Sequence, residues 1–164
     1  GGANLHDFHA FTPTVANIRP TSRGEISISS SDTKVNPKIK MNYLSTDEDR
    51  KVAADGIKLI RKIVMETNEF KKYEPEEFRP GSHLNDKEEI VKACSHYAQT
   101  IFHPVGTCKM GNDDSAVVSD KLKVHGLNKL RVIDASIMPN ITSGNTNAPT
   151  IMIAEKGADM ILNP

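Results

Sequence analysis

The sequence predicts an α+β chain: a small, mainly antiparallel β-sheet backed by helices, followed by a C-terminal strand–helix segment. Three observations carry this. Residues 25–31 (EISISSS) set Ile26 and Ile28 in period two, the alternation of a half-buried strand. Residues 52–64 repeat apolar positions at helical spacing behind a capping signal. The last third then changes to short apolar runs parted by turn residues and closes on a helix introduced by proline.

Taken in order, residues 11–18 (FTPTVANI) have strand-like composition, but Pro13 confines them to an edge or delays the strand. Residues 20–24 (PTSRG) are turn chemistry, which leaves Arg19 and Arg23 as turn and surface residues. The strand at 25–31 follows, and a third short strand, 39–43, comes after the Asn36-Pro37 turn. Ser45 at an N-cap with Glu48 three residues on makes a capping box. Behind it Val52, Gly56, Leu59, Ile60, Ile63 and Val64 form one stripe, predicting a helix over 46–67 that lies on the small sheet. Residues 68–84, rich in charge, Pro and Gly, read as an exposed loop. Asn85 or Asp86 then caps a second helix with Ile90, Cys94 and Tyr97 on its inner face.

Further on, residues 122–124 and 130–133 are short apolar strands joined by a turn at 126–129. LRVIDAS (130–136) has the apolar character of a central strand in a parallel α/β sheet. Either the sheet is mainly antiparallel, or this strand's partners lie outside the sequence. The final helix is predicted to start with Pro149 at its first position and to run to about residue 162.

A chain of 164 residues is long enough for one ordinary domain, burying about 70% of its unfolded surface without staples. Its 21 basic and 21 acidic residues cancel, and aromatics make up 5% with no Trp. No field of one sign exists to recruit a polyanion, so nucleic acid is not expected as a partner. Cys94 and Cys108 are too few for a disulfide framework and form no CxxC pair. They read as small hydrophobes in a reducing, cytoplasmic compartment. No apolar run reaches the length of a membrane span. GGANLHDFHAF lacks the basic and apolar regions of a signal peptide, so residues 1–10 are taken as a tail or cloning remnant.

Three places can carry chemistry. In IFHPVGTCKMG (101–111), Pro104 pushes His103 toward an extended backbone, and Gly106 lets the chain turn closely behind it. Such an imidazole is held as a general base requires, although the same residue could simply pack on the end of the preceding helix. A metal site is the rival chemistry, but His6, His9, His83, Cys94, His96 and Cys108 lack the tight paired spacing that zinc prefers. In GNTNAPT (144–150), Asn145, Thr146 and Asn147 present polar groups just ahead of a helix N-terminus. That end would favour an anion, or Asn147 is a plain N-cap. Asp134 ends its strand where a nucleotide ribose or diphosphate could meet it, or is only a strand-terminating acid. There is no GxGxxG, Walker motif or serine elbow.

In combination, HPVGTCKMG, VVSDKLKVHGLNKLRVIDASIMP and SGNTNAPTIMIAEKGADMI strongly resemble the C-terminal part of the glucose–methanol–choline (GMC) flavoprotein oxidoreductases. Within that family the likeness is greatest to choline dehydrogenase-like alcohol dehydrogenases. RPTSRGEISI, MNYLSTDEDR and the acidic segment before HPVGT match as well, so the resemblance runs from about residue 11 to the end.

The resemblance implies a substrate-binding domain over 11–116 and a return to the FAD-binding domain over 117–164. The N-terminal FAD-binding part of such an enzyme is missing here and becomes the implied partner. His103 matches the base that takes the substrate hydroxyl proton, and Asn145 the second active-site position. Thr146 and Asn147 match the backbone facing the flavin pyrimidine edge. Asp134 and Ala135 match its ribityl–diphosphate region, and Pro149 the start of the helix that supports charge on the reduced ring. Lys109 and Met110 follow the motif without a defined role.

The implied activity is oxidation of an alcohol CH–OH group, choline-like or another primary alcohol, by hydride transfer to FAD. The chain alone is expected to be an inactive fragment. A hydroxynitrile lyase using the same site without redox chemistry, and a stand-alone binding module, are the alternatives. The uncovered apolar run at 130–133 implies either a homo-oligomer or a poorly ordered tail, and peripheral membrane association of the parent enzyme is left open.

Overall fold

A computed structural model describes residues 6–163. Of the expected tail, residues 1–5 lie outside the described residues. His6 and Phe8 are engaged: their rings stack at 4.8 Å, and both meet Phe78. The elements run β1 (Glu25–Ser27), β2 (Lys38–Lys40), α1 (Asp47–Glu66), α2 (Asn68–Lys71), α3 (Lys87–Tyr97), a 3-10 turn at Ala135–Ile137, and α4 (Asn147–Leu162). The architecture is α+β, with a two-stranded antiparallel ribbon.

The chain divides into two compact units. One comprises the N-terminal segment through Ala16 with Arg50–Tyr97; the other comprises Asn17–Asp49 with the residues from Ala98 onward.

In the first unit, α1 and α3 contribute buried Ala54, Ile90, Val91 and Ala93. Of the α1 stripe, Gly56 is buried and Val52, Ile60 and Val64 are half-buried, whereas Leu59 and Ile63 are exposed; what meets it is an extended segment rather than a sheet face. A Cβ at Gly56 would lie 2.7 Å from the Val15 side chain. Phe11, Thr12 and Pro13 line an open apolar groove of about 280 Å³ with Ile60, Ile63, Val64 and Phe70. Residues 11–18 therefore form no strand: Pro13 removes a ladder donor, and packing against a helix supplies no ladder partner.

The segment 68–84 is more ordered than its composition suggests. It opens with the single turn α2 and is then clamped by Arg61 from α1. That guanidinium donates to both Glu77 carboxylate oxygens at 2.8 and 2.9 Å, and to the carbonyls of Gly81 and Leu84. Neither side chain of the pair is more than 17% exposed. Asp86 caps α3, accepting from the amides of Glu88 and Glu89. The inner face of α3 is Ile90, Val91 and Ala93; Cys94 is half-buried, and Tyr97 is exposed with Arg79 over its ring. Burial pushes the Cys94 thiol up, which keeps it an inert thiol.

In the second unit, β1 and β2 pair with Ile26 opposite Ile39, and both side chains are exposed rather than half-buried. The second strand ends at Lys40 because Asn42 and Leu44 take positive φ, which no strand accommodates. The ribbon's root is tied by Asp49, 4% exposed. Its carboxylate accepts from the Thr21 and Ser22 amides at 2.9 and 2.8 Å and from Asn17. The N-cap of α1 is Thr46, one residue beyond the expected Ser45: its Oγ1 accepts from the Asp49 amide.

Residues 108–137 form a web of single bridges where two continuous strands were predicted. Val118 pairs with Met110 and Val124, and Lys123 with Arg131. The pairing of 122–124 with 130–132 is antiparallel, through Val124 N–H to Leu130 O and Val132 N–H to Leu122 O. Positive φ at Leu122 and Lys129 breaks the ladder on either side. Val118, Leu122, Ile137, Met138 and Ile153 make the core of this web.

Candidate active site

Two segments far apart in sequence build the site. The first is the stretch after residue 100. Phe102 holds φ 65°, a conformation that strains a bulky residue by about 1–3 kcal/mol, and the next residue is His103. Gly106 follows at φ +91°, with its Cα close under Met138: a Cβ there would lie 3.3 Å from the Met138 carbonyl. That is the close turn the glycine was expected to allow. Beyond it, Cys108 N–H donates to Ser136 O and Met110 N–H to Ile137 O. The histidine-bearing loop is thus bolted to the turn that follows LRVID.

The second segment is the entry to α4. The helix starts at Asn147, so Pro149 occupies its third position rather than its first. Proline is tolerated there because the first-turn N–H groups have no intrahelical acceptor in any case. The N-cap is Thr146, whose side chain makes no capping bond. Helix and loop are held together from behind: Ile153 is buried, and Gly157 lies against Ile133. Arg131 also donates to the Met160 carbonyl.

These two segments converge on one imidazole. His103 Nε2 lies 3.0 Å from Asn145 Nδ2, and His103 Nδ1 lies 2.9 Å from Thr146 Oγ1. His103 is half-buried, Asn145 is exposed, and Thr146 is only 7% exposed. The ring is therefore gripped on its inner nitrogen and presented by its outer one. An oxygen placed at the His103–Asn145 edge would meet a proton acceptor and an amide donor together.

Not every predicted residue joins this group. Asp134 spends its Oδ1 on its own turn, accepting from Ser136 N–H at 2.7 Å and from the Ser136 hydroxyl. Ala135 packs against the core cluster at the start of the 3-10 turn, beside α4. Asn147 is exposed in the first turn of α4. Lys109 pairs with Asp113 at 3.0 Å, and the Ser115 and Lys109 donors hold that carboxyl down at about 2. Among the described residues no cluster of three His, Cys, Asp or Glu is arranged to hold a metal. No helix of the described residues is long and apolar enough to cross a membrane.

Two contacts escaped the sequence. Thr146 Oγ1 on His103 is one, with no signal in spacing, since the residues are 43 apart. Arg23 is the other: it donates to Asn140 Oδ1 and to the carbonyls of Pro20 and Ser22, so it fastens the turn before β1 to the loop leading to Asn145.

The model of the GMC oxidoreductase family matches residues 20–154. The chain belongs to that family. An oxygen-dependent choline dehydrogenase of Proteus mirabilis (strain HI4320) is 46% identical over 160 residues, 98% of this chain and 29% of the relative. Among solved GMC structures, pyridoxine 4-oxidase from Mesorbium loti superposes with a TM-score of 0.82 at 35% identity, over 90% of this chain and 28% of that one. An FAD-dependent oxidoreductase from Chaetomium thermophilum gives 0.81 at 30% identity, over 88% and 25%. The chain thus spans under a third of the length of the GMC proteins it matches.

Proposed function

We propose that this chain is the C-terminal part of an FAD-dependent enzyme that oxidises an alcohol CH–OH group, with a choline-like primary alcohol as substrate. On this reading residues 11–116 belong to the substrate-binding domain and 117–164 to the FAD-binding domain. The observation that carries the proposal is the 3.0 Å pairing of His103 Nε2 with Asn145 Nδ2 at an exposed edge. GMC membership and relatives named choline dehydrogenase support this choice of substrate class.

The residues present fit a flavin. A Cβ at Gly144 would meet nothing within 4 Å, so the loop carrying Asn145 has open space over it. Next to that space α4 begins without a side-chain cap, at exposed Asn147 and Ala148. An uncapped helix N-terminus carries about half a positive charge, suited to an electron-rich ring. Thr146 and Asn147 would hold the flavin through backbone groups, with Pro149 keeping the first turn in place. Asp134 and Ala135 would hold its ribityl–diphosphate region through the backbone, because the Asp134 carboxylate is committed to Ser136.

The chemistry that FAD supplies when bound is acceptance of the hydride leaving the alcohol carbon. That departure becomes easy only as the hydroxyl proton leaves. His103 Nε2 takes this proton, and Asn145 Nδ2 donates to the oxygen as alkoxide character grows.

Ile151, Met152, Ile161 and Leu162 on α4 are exposed. They supply an apolar surface against which the remainder of the enzyme would pack, and the chain purified alone would self-associate through it. The two unpaired cysteines suit a reducing cytoplasmic setting.

The test is His103→Ala in the FAD-loaded full-length enzyme. Turnover of a primary alcohol should fall by about 10²–10⁴-fold, while flavin binding, read by its absorbance, stays intact. A variant that still reduces its flavin at the original rate would refute the base assignment.

A further inference from the structure

We infer that Arg23 is a positioning residue for Asn145: from the turn before β1 its guanidinium holds the loop 139–144, and so sets where the Asn145 amide meets substrate. The inference rests on the reading of Asn145 as the donor to the alcohol oxygen and names what keeps that donor in place.

The loop needs holding. It leaves the core at buried Met138 and re-enters it at buried Thr146. Between them Ser143 takes φ 61°, a left-handed backbone that a residue with a β-carbon keeps only where its surroundings enforce it. The root of the loop is fixed to the histidine-bearing segment, since a Cβ at Gly106 would lie 3.3 and 3.7 Å from the Met138 and Pro139 carbonyl oxygens. Beyond the root there is little else. Among the described residues no backbone hydrogen bond reaches 139–144, and the one side-chain bond made to that stretch comes from Arg23, onto Asn140 Oδ1. The direction of this bond is fixed: a guanidinium carries donors only, so the Asn140 amide must turn its oxygen to Arg23.

Arg23 can serve as a brace because its own seat is rigid. Its Nη1 donates to the carbonyls of Pro20 and Ser22 at 2.9 and 3.0 Å, which aims Nη2 at Asn140. Asn42 Nδ2 donates to the Arg23 carbonyl. The Thr21 and Ser22 amides are bonded to buried Asp49, and Ser22 Oγ accepts from the Ser45 amide. A planar fork already held in this way loses little freedom on taking one further acceptor. Released at Asn140, the loop would be tied only at its two ends, free to carry the Asn145 amide away from its 3.0 Å contact with His103 Nε2. A misplacement of about 1 Å at a reacting centre can cost about 10²-fold in rate.

The experiment uses the FAD-loaded full-length enzyme. Asn140→Ala removes the acceptor and leaves the bonds of Arg23 within its own turn untouched. Its kcat for a primary alcohol should fall by about 10–100-fold, with KM little changed and the flavin absorbance intact. Asn140→Asp keeps an acceptor oxygen and should restore most of the rate, whereas Arg23→Ala should match Asn140→Ala. Added to Asn145→Ala, Asn140→Ala should cost nothing more, because residues that act through one amide are not additive. Full turnover in Asn140→Ala overturns the inference, and so does an undiminished loss in the Asn145→Ala background. A crystal structure of the Asn140→Ala enzyme gives a second readout: residues 139–145 should be displaced or doubly populated, and an unmoved Asn145 overturns the inference as well. If Arg23→Ala fails to fold, the two Asn140 variants still decide. An Asn145→Ala enzyme with full turnover refutes the donor reading without touching the crystallographic result, so the two failures are separable.

Discussion

Gly157 and Ile133 are in such close contact that a β-carbon at position 157 would sit 2.4 Å from Ile133 Cγ2. This approach seats α4 on the residues leading into Asp134, and α4 in turn carries Thr146 and Asn145 to His103. Gly157→Ala therefore sets two effects in opposition. Helix propensity favours alanine by about 1 kcal/mol, whereas overpacking disfavours it by about 1–3 kcal/mol. We expect a net destabilisation, read as a lower urea midpoint. A higher midpoint would mean that Ile133 yields and the contact positions nothing.

Asn145 is exposed, so its removal should leave stability within about 0.5 kcal/mol. Loss of the donor to the developing alkoxide should instead appear in turnover, as a drop of about 10²–10³ in kcat for Asn145→Ala. Steady-state kinetics on the full-length enzyme with a primary alcohol would check this. A change confined to KM would assign Asn145 to substrate binding alone.

Asp49 supplies the pH dependence. Burial pushes its carboxyl up, but the donors from Ser22 and Thr21 outweigh it, leaving a net shift below the ordinary 3.8. A carboxyl depressed by folding contributes stability that is complete above its unfolded value and fades as pH falls toward the folded one. Between pH 7 and 5 the contribution should be flat; below about pH 4 it should decline. Urea midpoints from pH 7 to 3 for the unaltered chain and Asp49→Asn should converge on acidification. Curves that stay parallel would remove Asp49 from the acid response.

Arg61 is the keystone of the 77–84 segment. Arg61→Ala would strand a Glu77 carboxylate that is only 13% exposed, together with two carbonyls. Breaking a buried pair in this way typically destabilises by about 3–5 kcal/mol; partial solvent access lowers the expectation to about 2–3 kcal/mol. Arg61→Lys should rescue little, since an ammonium cannot reproduce the two-pronged contact. Limited proteolysis between residues 72 and 86 should accelerate in both variants. Unchanged cleavage would return this stretch to the exposed loop that its composition suggests.

The helices were the most legible part of the fold. The bounds of α1 and the cap before it came through within a residue, and the second helix was found with Asp86, one of its two candidate caps. The strands were less legible. EISISSS alternates correctly, yet Ile26 and Ile39 face solvent, because alternation reports which residues share a face and not whether anything covers it. The run 130–133 has the apolarity of a central strand but makes only bridges, since a strand exists by virtue of its neighbours. Residues 68–84 looked solvated because their charges are visible in sequence and the partner of Glu77 is not.

By itself the sequence determined the family, the three long helices and the identity of the two residues proposed for chemistry, His103 and Asn145. Those properties sit in local patterns: caps and stripes act within a few residues, and the motifs are short contiguous strings. Only the tertiary structure decided that Thr146 turns its hydroxyl to His103 Nδ1 instead of capping its own helix, and that α4 begins at Asn147 rather than Pro149. A hydroxyl can bond its own backbone or a ring 43 residues away at similar energy. Which it does is settled by where the remote ring is held, and here that follows from the Gly106 turn, the Ser136 and Ile137 carbonyls, and the seat of Gly157 on Ile133.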